Sequence, residues 1–218
     1  MIYQIFSDDE IKFVRDKLSH AKFVDGKNSQ SLSNLYDIKQ NSETVITKTV
    51  AKHIENILLK RTIKVIYAPS KVKTLIYNKY KEGDFYDYHI DSMQSSTDKM
   101  LYNYGFTISL SDDYEGGAFV LQTTAGEVGF NIKKGQAVIF PIIYPHKVEI
   151  VTKGTRECVI GWFESKISYE QSFILKAVQE IANMATQLTR LDPKNNYLKN
   201  LVTKSSLVQN YLVTQWGF

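Results

Sequence analysis

Tyr104-Gly105-Phe106-Thr107-Ile108-Ser109-Leu110-Ser111 alternates large apolar residues with small or hydroxylic ones. Successive side chains of a strand point to opposite faces, so this stretch reads as a half-buried β-strand. Val128, Phe130 and Ile132 repeat the period. Turn signals separate the runs: Lys81-Glu82-Gly83-Asp84, Ser111-Asp112-Asp113, Glu115-Gly116-Gly117, Lys133-Lys134-Gly135 and Lys153-Gly154-Thr155. Residues 65–165 therefore read as seven or eight short strands joined by tight turns, an antiparallel sandwich or small barrel.

On either side the period changes. In residues 1–64, Ser7 and Glu10 form a capping box, and Ile11, Val14 and Leu18 follow at helical spacing. A polar stretch from Asp25 to Ser42 leads to a second helix with Val50, Ile54, Ile57 and Leu58 on one face. In residues 166–218, Phe173, Ile174, Ala177, Val178 and Ile181 keep the 3.6 period, Asp192-Pro193 breaks it, and Leu207 to Trp216 reads as another short helix. The expectation is one structural unit of α+β class with a mainly β core, its terminal helices packed on that core.

Composition agrees. The 218 residues suffice to bury roughly 70% of the unfolded surface without a disulfide or structural metal. With 43% hydrophobic and 23% charged residues, the chain stands apart from disordered, collagen-like and coiled-coil proteins. Fourteen Tyr and eleven Phe suit strands and a ligand-lined cavity. The net charge of +4 is scattered, with no basic stripe, so no nucleic-acid partner is expected, although Lys71-Val72-Lys73 is a short basic tract. The single Cys158 excludes an internal disulfide and a Cys-based zinc cluster. Residues 1–10 lack a basic n-region and a long apolar core, and no 18-residue apolar run exists, so the expectation is a soluble cytoplasmic protein without a membrane span.

The chemistry sits in the β zone. In Tyr86-Asp87-Tyr88-His89-Ile90-Asp91, strict alternation puts Asp87, His89 and Asp91 on one side. A solvated strand face explains such a triplet equally well. His146 then shares a strand face with Val148 and Ile150, which an ordinary hydrogen-bonded core histidine also does. Ten residues on, Arg156 shares a strand side with Cys158, Ile160 and Trp162, alternating with Glu157, Val159, Gly161 and Phe163. It is either snorkelling at a strand end or buried to bind an anion. Taken in this order, the four features form a specific constellation. Two imidazoles and a carboxylate inside a barrel make the facial triad of non-haem Fe(II) oxygenases, with positions open for a bidentate 2-oxo acid and dioxygen. A tetrahedral zinc site is compatible with the same ligand set. Arg156 favours iron with a 2-oxo dicarboxylate, because a guanidinium fork matches the far carboxylate and gains about 1.5–3 kcal/mol per charged hydrogen bond.

At these residues the chain resembles the iron(II)- and 2-oxoglutarate-dependent dioxygenases, specifically the PKHD-type hydroxylases of the prolyl 4-hydroxylase-like group. The resemblance spans nearly the whole chain. It runs through Phe23-Val24-Asp25-Gly26-Lys27, Tyr77-Asn78-Lys79-Tyr80-Lys81-Glu82-Gly83 and Leu110-Ser111-Asp112-Asp113-Tyr114-Glu115-Gly116-Gly117. It continues in Tyr144-Pro145-His146-Lys147-Val148, Gly154-Thr155-Arg156 and Trp162-Phe163-Glu164-Ser165, and ends in the tail from Tyr211 to Trp216. It implies a double-stranded β-helix (jelly-roll) core, with His89, Asp91 and His146 as Fe(2+) ligands and Arg156 holding the far carboxylate of 2-oxoglutarate. It also implies that Tyr80 hydrogen-bonds that carboxylate and that Trp162 lines the same pocket. The implied reaction hydroxylates an unactivated C–H bond while 2-oxoglutarate and O2 become succinate and CO2, with ascorbate as a rescuing reductant. Prolyl side chains, free amino acids and other small molecules all fit as substrates. The loop from Ser92 to Tyr102 departs from the family pattern and is expected to border the entrance. Two rivals stand beside this: a cupin-like jelly-roll that binds metal without catalysis, and the same chemistry directed at nucleic-acid bases. Oligomeric state is not legible. His20 and His53 fall in predicted helices away from the motif and read as surface or packing residues.

Overall fold

The computed structural model of the chain describes residues 2–29, 38–60, 69–92, 102–165 and 169–216. Ser7 opens helix α1 (Asp8–Leu18) with the predicted capping box. Its Oγ accepts from Glu10 N (3.3 Å), while Glu10 Oε2 accepts from Ser7 N (2.7 Å). Ile11, Val14 and Leu18 are buried, as their spacing predicts. Helix α2 (Lys48–Lys60) likewise buries Val50, Ile54, Ile57 and Leu58. His53, half-buried, lies 4.4 Å from Phe13 between ring centroids, the packing role expected of it.

The first sixty residues are not only helical. They also supply β1 (Ile2–Gln4), β2 (Val24–Asp25), β3 (Lys39–Gln40) and β4 (Ser42–Val45). Strands of two to four residues are too short for a period of two to declare itself in the sequence. The remaining strands are β5 (Pro69–Lys81), β6 (Phe85–His89), β7 (Tyr104–Ser109), β8 (Glu115–Gly116), β9 (Phe119–Thr123) and β10 (Gly126–Phe130). They continue as β11 (Gln136–Pro141), β12 (His146–Val148), β13 (Val151–Lys153) and β14 (Thr155–Ser165).

Among the described residues these strands form a seven-stranded sheet, β1-β11-β7-β14-β5-β4-β2, and a five-stranded sheet, β10-β9-β12-β6-β3. A small pair, β13-β8, lies apart from them. One apolar core draws on both large sheets. Tyr80, Val138, Phe140 and Cys158 come from the larger, and Tyr86, Phe119, Leu121 and Val148 from the smaller, so the sheets pack face to face. The expected α+β class with a mainly β core is thus found.

The alternating stretch from Tyr104 to Ser111 departs from expectation in one respect. Strand β7 is buried on both faces rather than one. Its aromatic side packs on β14, with Tyr104 and Phe106 centroids 5.3 and 6.4 Å from Phe163. Its small-residue side faces the interior between the sheets, where Thr107 meets Arg156.

The chain divides into two compact units, the second containing the C-terminal helices. There α3 (Tyr169–Leu191) and α4 (Asn196–Trp216) form a hairpin. Helix α4 begins eleven residues before the short helix read from the sequence. Its first half is rich in hydroxyl residues that weaken the apolar period, and their hydroxyls are absorbed by carbonyls one turn back: Thr203 to Lys199 O (3.0 Å) and Ser205 to Leu201 O (2.8 Å). Asn195 caps it, Oδ1 accepting from Tyr197 N and Leu198 N.

On the outer side of β14, Glu157 ties three elements together. Its carboxylate pairs with Arg15 of α1 (3.0 Å) and Lys79 of β5 (3.2 Å) at 9% side-chain exposure. Burial and then this carboxylate push the Tyr77 phenol well above its ordinary range. Replacing Glu157 by Ala removes a buried carboxylate from two partly exposed cations that water can screen, so the unfolding free energy should fall by about 1 kcal/mol. The urea midpoint checks this, and a change below about 0.5 kcal/mol would contradict the role.

Candidate metal and cosubstrate site

Strands β6 and β12 pair as His146↔His89 and Val148↔Tyr86, with a register shift between. Two residues of β6, Asp87 and Tyr88, thus oppose the single Lys147, which is a β-bulge. The bulge breaks the simple alternation read from the sequence. It leaves Asp87 exposed, its Oδ1 taken by Tyr88 N (2.7 Å). It also turns Tyr86 and His89 to the same side, where their rings stack at 3.5 Å and 10°. Strand β12 stops at Val148, so Ile150, expected inward, is 56% exposed.

The candidate ligands do come together. Nε2 of His89 lies 3.7 Å from Asp91 Oδ1, and Nε2 of His146 lies 3.5 Å from Asp91 Oδ2. One ligand atom from each of the three lies within 4.8 Å of the others. The orientation of the rings is fixed from behind. His89 Nδ1 lies 2.9 Å from Asp87 O and His146 Nδ1 lies 3.1 Å from Tyr144 O. A carbonyl only accepts, so each Nδ1 carries the hydrogen and each ring turns its Nε2 towards Asp91. Burial, then the neighbouring His146, lower the His89 imidazole to about 4, which keeps it neutral near pH 7. Three acceptors thus converge with no donor among them, a donor set suited to a cation.

Trp162 does something the sequence did not announce. Its Nε1 donates to Asp91 Oδ2 (2.7 Å), fixing one carboxylate oxygen and leaving Oδ1 towards His89. Phe119 and Phe140 close over His146 at 5.5 and 4.7 Å between centroids. Behind Tyr86 lies Lys39, 3% exposed, its ammonium 4.8 Å from the ring and held by Ser29 Oγ and Glu43 Oε2, both at 2.8 Å. Nothing in the sequence marked this lysine, which sits in a polar stretch where an exposed side chain is the ordinary case.

Arg156 is buried, 1% exposed, among groups that only partly satisfy it. Nη1 donates to Cys158 Sγ (3.0 Å), Nη2 to Thr107 Oγ1 (3.4 Å), and the Tyr80 ring lies 5.3 Å from Cζ. Among the described residues no carboxylate lies within ion-pairing distance of it. Burial holds the Tyr80 phenol well above its ordinary range, and Arg156 offsets only part of that, so Tyr80 remains a hydrogen-bond donor. Gly117, at φ +62°, lets the chain pass here: a Cβ would lie 2.9 Å from Val151 Cγ2 and 3.1 Å from Arg156 Cδ. Tyr80 and Cys158 belong to the same core as Tyr86, so the Arg156 end and the His89 end share one interior. Residues 93–101 of the expected entrance loop lie outside the described residues.

Residues 75–164 match the family model of the 2OG-Fe(II) oxygenase superfamily. A PKHD-type hydroxylase of Rippkaea orientalis is 30% identical over 76% of this chain and 78% of its own. This chain belongs to the PKHD-type hydroxylases, within the 2OG-Fe(II) oxygenases. Another PKHD-type hydroxylase, from Alteromonas mediterranea, is 29% identical over 95% of this chain and 99% of its own. The fold agrees with a Trichoplax adhaerens prolyl hydroxylase solved with a peptide fragment of the hypoxia inducible factor oxygen degradation domain: TM-score 0.56, 14% identity, 76% of this chain and 83% of that one. The two packed sheets of this PKHD-type hydroxylase are therefore a double-stranded β-helix, and the chain is a dioxygenase dependent on Fe(II) and 2-oxoglutarate. No helix among the described residues is long and apolar enough to cross a membrane.

The His89 shift sets a pH dependence in the metal-free protein. Unfolded His89 takes up its proton at its ordinary 6.5, the folded residue only near 4. Between those values the unfolded state binds more protons, so stability falls as pH falls, by at most about 3 kcal/mol. Denaturant midpoints from pH 7 to 4.5 should show this slope and lose it in His89→Gln. An equal slope in both proteins would contradict it.

Proposed function

We propose that His89 Nε2, His146 Nε2 and an Asp91 oxygen hold the ferrous ion, and that Arg156 and Tyr80 receive the far carboxylate of 2-oxoglutarate. The observation that carries this is a fully buried guanidinium with no carboxylate partner among the described residues, in the same interior as three converging acceptors. Burying Arg156 unpaired is costly, and an incoming carboxylate offsets that cost through a bidentate fork. When bound, iron and 2-oxoglutarate together supply the dioxygen chemistry that yields succinate, CO2 and a hydroxylated C–H bond.

The protein's own contribution is positional. The carbonyls of Asp87 and Tyr144 hold both imidazoles in the tautomer that presents Nε2. Trp162 holds Asp91 by one oxygen, a positioning role alongside the pocket-lining one implied by the resemblance. Phe119 and Phe140 keep water from the His146 side, which strengthens every charge interaction inside. Tyr80 donates its phenolic hydrogen towards the carboxylate that Arg156 receives. The substrate we propose is a peptidyl or small-molecule C–H donor, and the peptide carried by the Trichoplax neighbour supports the peptidyl choice. The setting we propose is the cytoplasm.

Turnover tests the assignment. His89→Ala and Asp91→Ala should abolish 2-oxoglutarate-dependent succinate formation, and Arg156→Lys should raise the 2-oxoglutarate requirement about 30-fold, the equivalent of one lost charged hydrogen bond. A requirement unchanged within twofold would remove Arg156 from this role. Trp162→Phe keeps the ring and deletes the donor. Mn(II) binding to the metal-free protein should weaken about tenfold, as for other lost ligand supports, and unaltered binding would leave Trp162 a lining residue only.

A further inference from the structure

Helices α3 and α4 each carry two apolar stripes, and a two-helix hairpin can bury only one of each. On α3 the inner stripe is Leu175, Val178, Ala182 and Ala185, all buried or half-buried. On α4 it is Leu198, Val202, Ser205 and Leu212. Gln209 Nε2 donates to Gln179 Oε1 (2.8 Å), which sets the helices antiparallel about the turn at Asp192–Asn195.

The outer stripe lies one residue earlier at every step. On α3 it is Ile174, Ala177, Ile181, Met184, Leu188 and Leu191, in alternating steps of three and four. Apart from Ala177 these residues are exposed, Met184 by 56% and Leu188 by 49%. On α4 the steps recur through Tyr197, Leu201, Lys204, Val208 and Tyr211, with Tyr197 89% and Tyr211 61% exposed. Alternating threes and fours are the heptad spacing of a seam that packs lengthwise on another helix. One residue back is about 100° of rotation. Because the helices run antiparallel, that rotation carries both outer stripes to the same side of the hairpin.

Between Ile174 and Leu191 on α3 and between Tyr197 and Tyr211 on α4, the result is a two-helix apolar face interrupted by a single charge. Helices of 23 and 21 residues are roughly 30 Å long, and two side by side are about 20 Å wide, so the face covers roughly 600 Å². Doubled across a two-fold axis that is about 1,200 Å², the area at which stable specific interfaces begin. A second copy supplies a face of equal length and the same apolar character. Lys204 selects the arrangement. It stands at the middle of the α4 stripe, so laying α4 on the partner's α4 would bring two ammonium groups together. Laying α3 on the partner's α4 instead puts Lys204 level with Met184, beside which its aliphatic stem can run.

We propose that two copies of this chain pair through the outer face of the α3–α4 hairpin, α3 on the partner's α4, as an antiparallel four-helix bundle. Sedimentation equilibrium of the full chain at micromolar concentration should give twice the chain mass. Ile181→Lys with Leu188→Lys should give the single mass with unchanged helical circular dichroism. Lys204→Leu, which removes the one charge from the seam, should tighten the dimer about tenfold. A single-chain mass for the unsubstituted protein, whatever else covers the stripe, overturns the proposal. So does a dimer that survives the two lysines.

Discussion

Three acceptors turned towards one point, with no hydrogen-bond donor among them, are the constraint on which the rest of the structure depends. Nε2 of His89 and His146 and the Asp91 carboxylate repel one another unless a cation lies between them. Their convergence is held from outside: two main-chain carbonyls take the Nδ1 hydrogens and the Trp162 indole takes an Asp91 oxygen. The site stands formed before anything binds, the condition under which charge stabilisation needs little reorganisation.

Strand β14 couples that site to the body of the core. Its inner face carries Arg156, Cys158 and Trp162, which serve the cosubstrate end and the metal end in turn. Its outer face carries Glu157, which draws in α1 through Arg15 and β5 through Lys79. The helix that the Ser7 capping box starts is thereby fastened to the strand that aims the arginine. The bulge in β6 makes the complementary adjustment, bringing Tyr86 against His89 and backing that pair with the buried Lys39–Glu43 ion pair.

Much of this was legible in the residues. The His89-x-Asp91 pair, His146 and Arg156 are chemically distinctive, and their order along short alternating strands pointed to one interior. Ser7 with Glu10 announced α1 because a capping box is local. What escaped the sequence is non-local or depends on geometry without a composition signature. The bulge at Asp87-Tyr88 is visible only once β12 supplies a register. The Trp162–Asp91 bond joins residues 71 apart. Lys39 is buried only because Ser29, Glu43 and Tyr86 gather around it. Strands β1 to β4 exist through pairing with partners far along the chain, not through their own pattern. The outer stripe of α3 was present in the sequence as steps of three and four, but only the exposure of those side chains separates it from the seam beside it.

The central claim, that one interior holds a divalent iron at one end and a dicarboxylate at the other, has a direct optical test. Anaerobic titration of the metal-free protein with Fe(II) and then 2-oxoglutarate should produce a weak visible charge-transfer band that requires both and saturates at one equivalent of iron. The band should be absent in Asp91→Ala. Folded protein that takes up iron yet gives no band on adding 2-oxoglutarate would contradict the account.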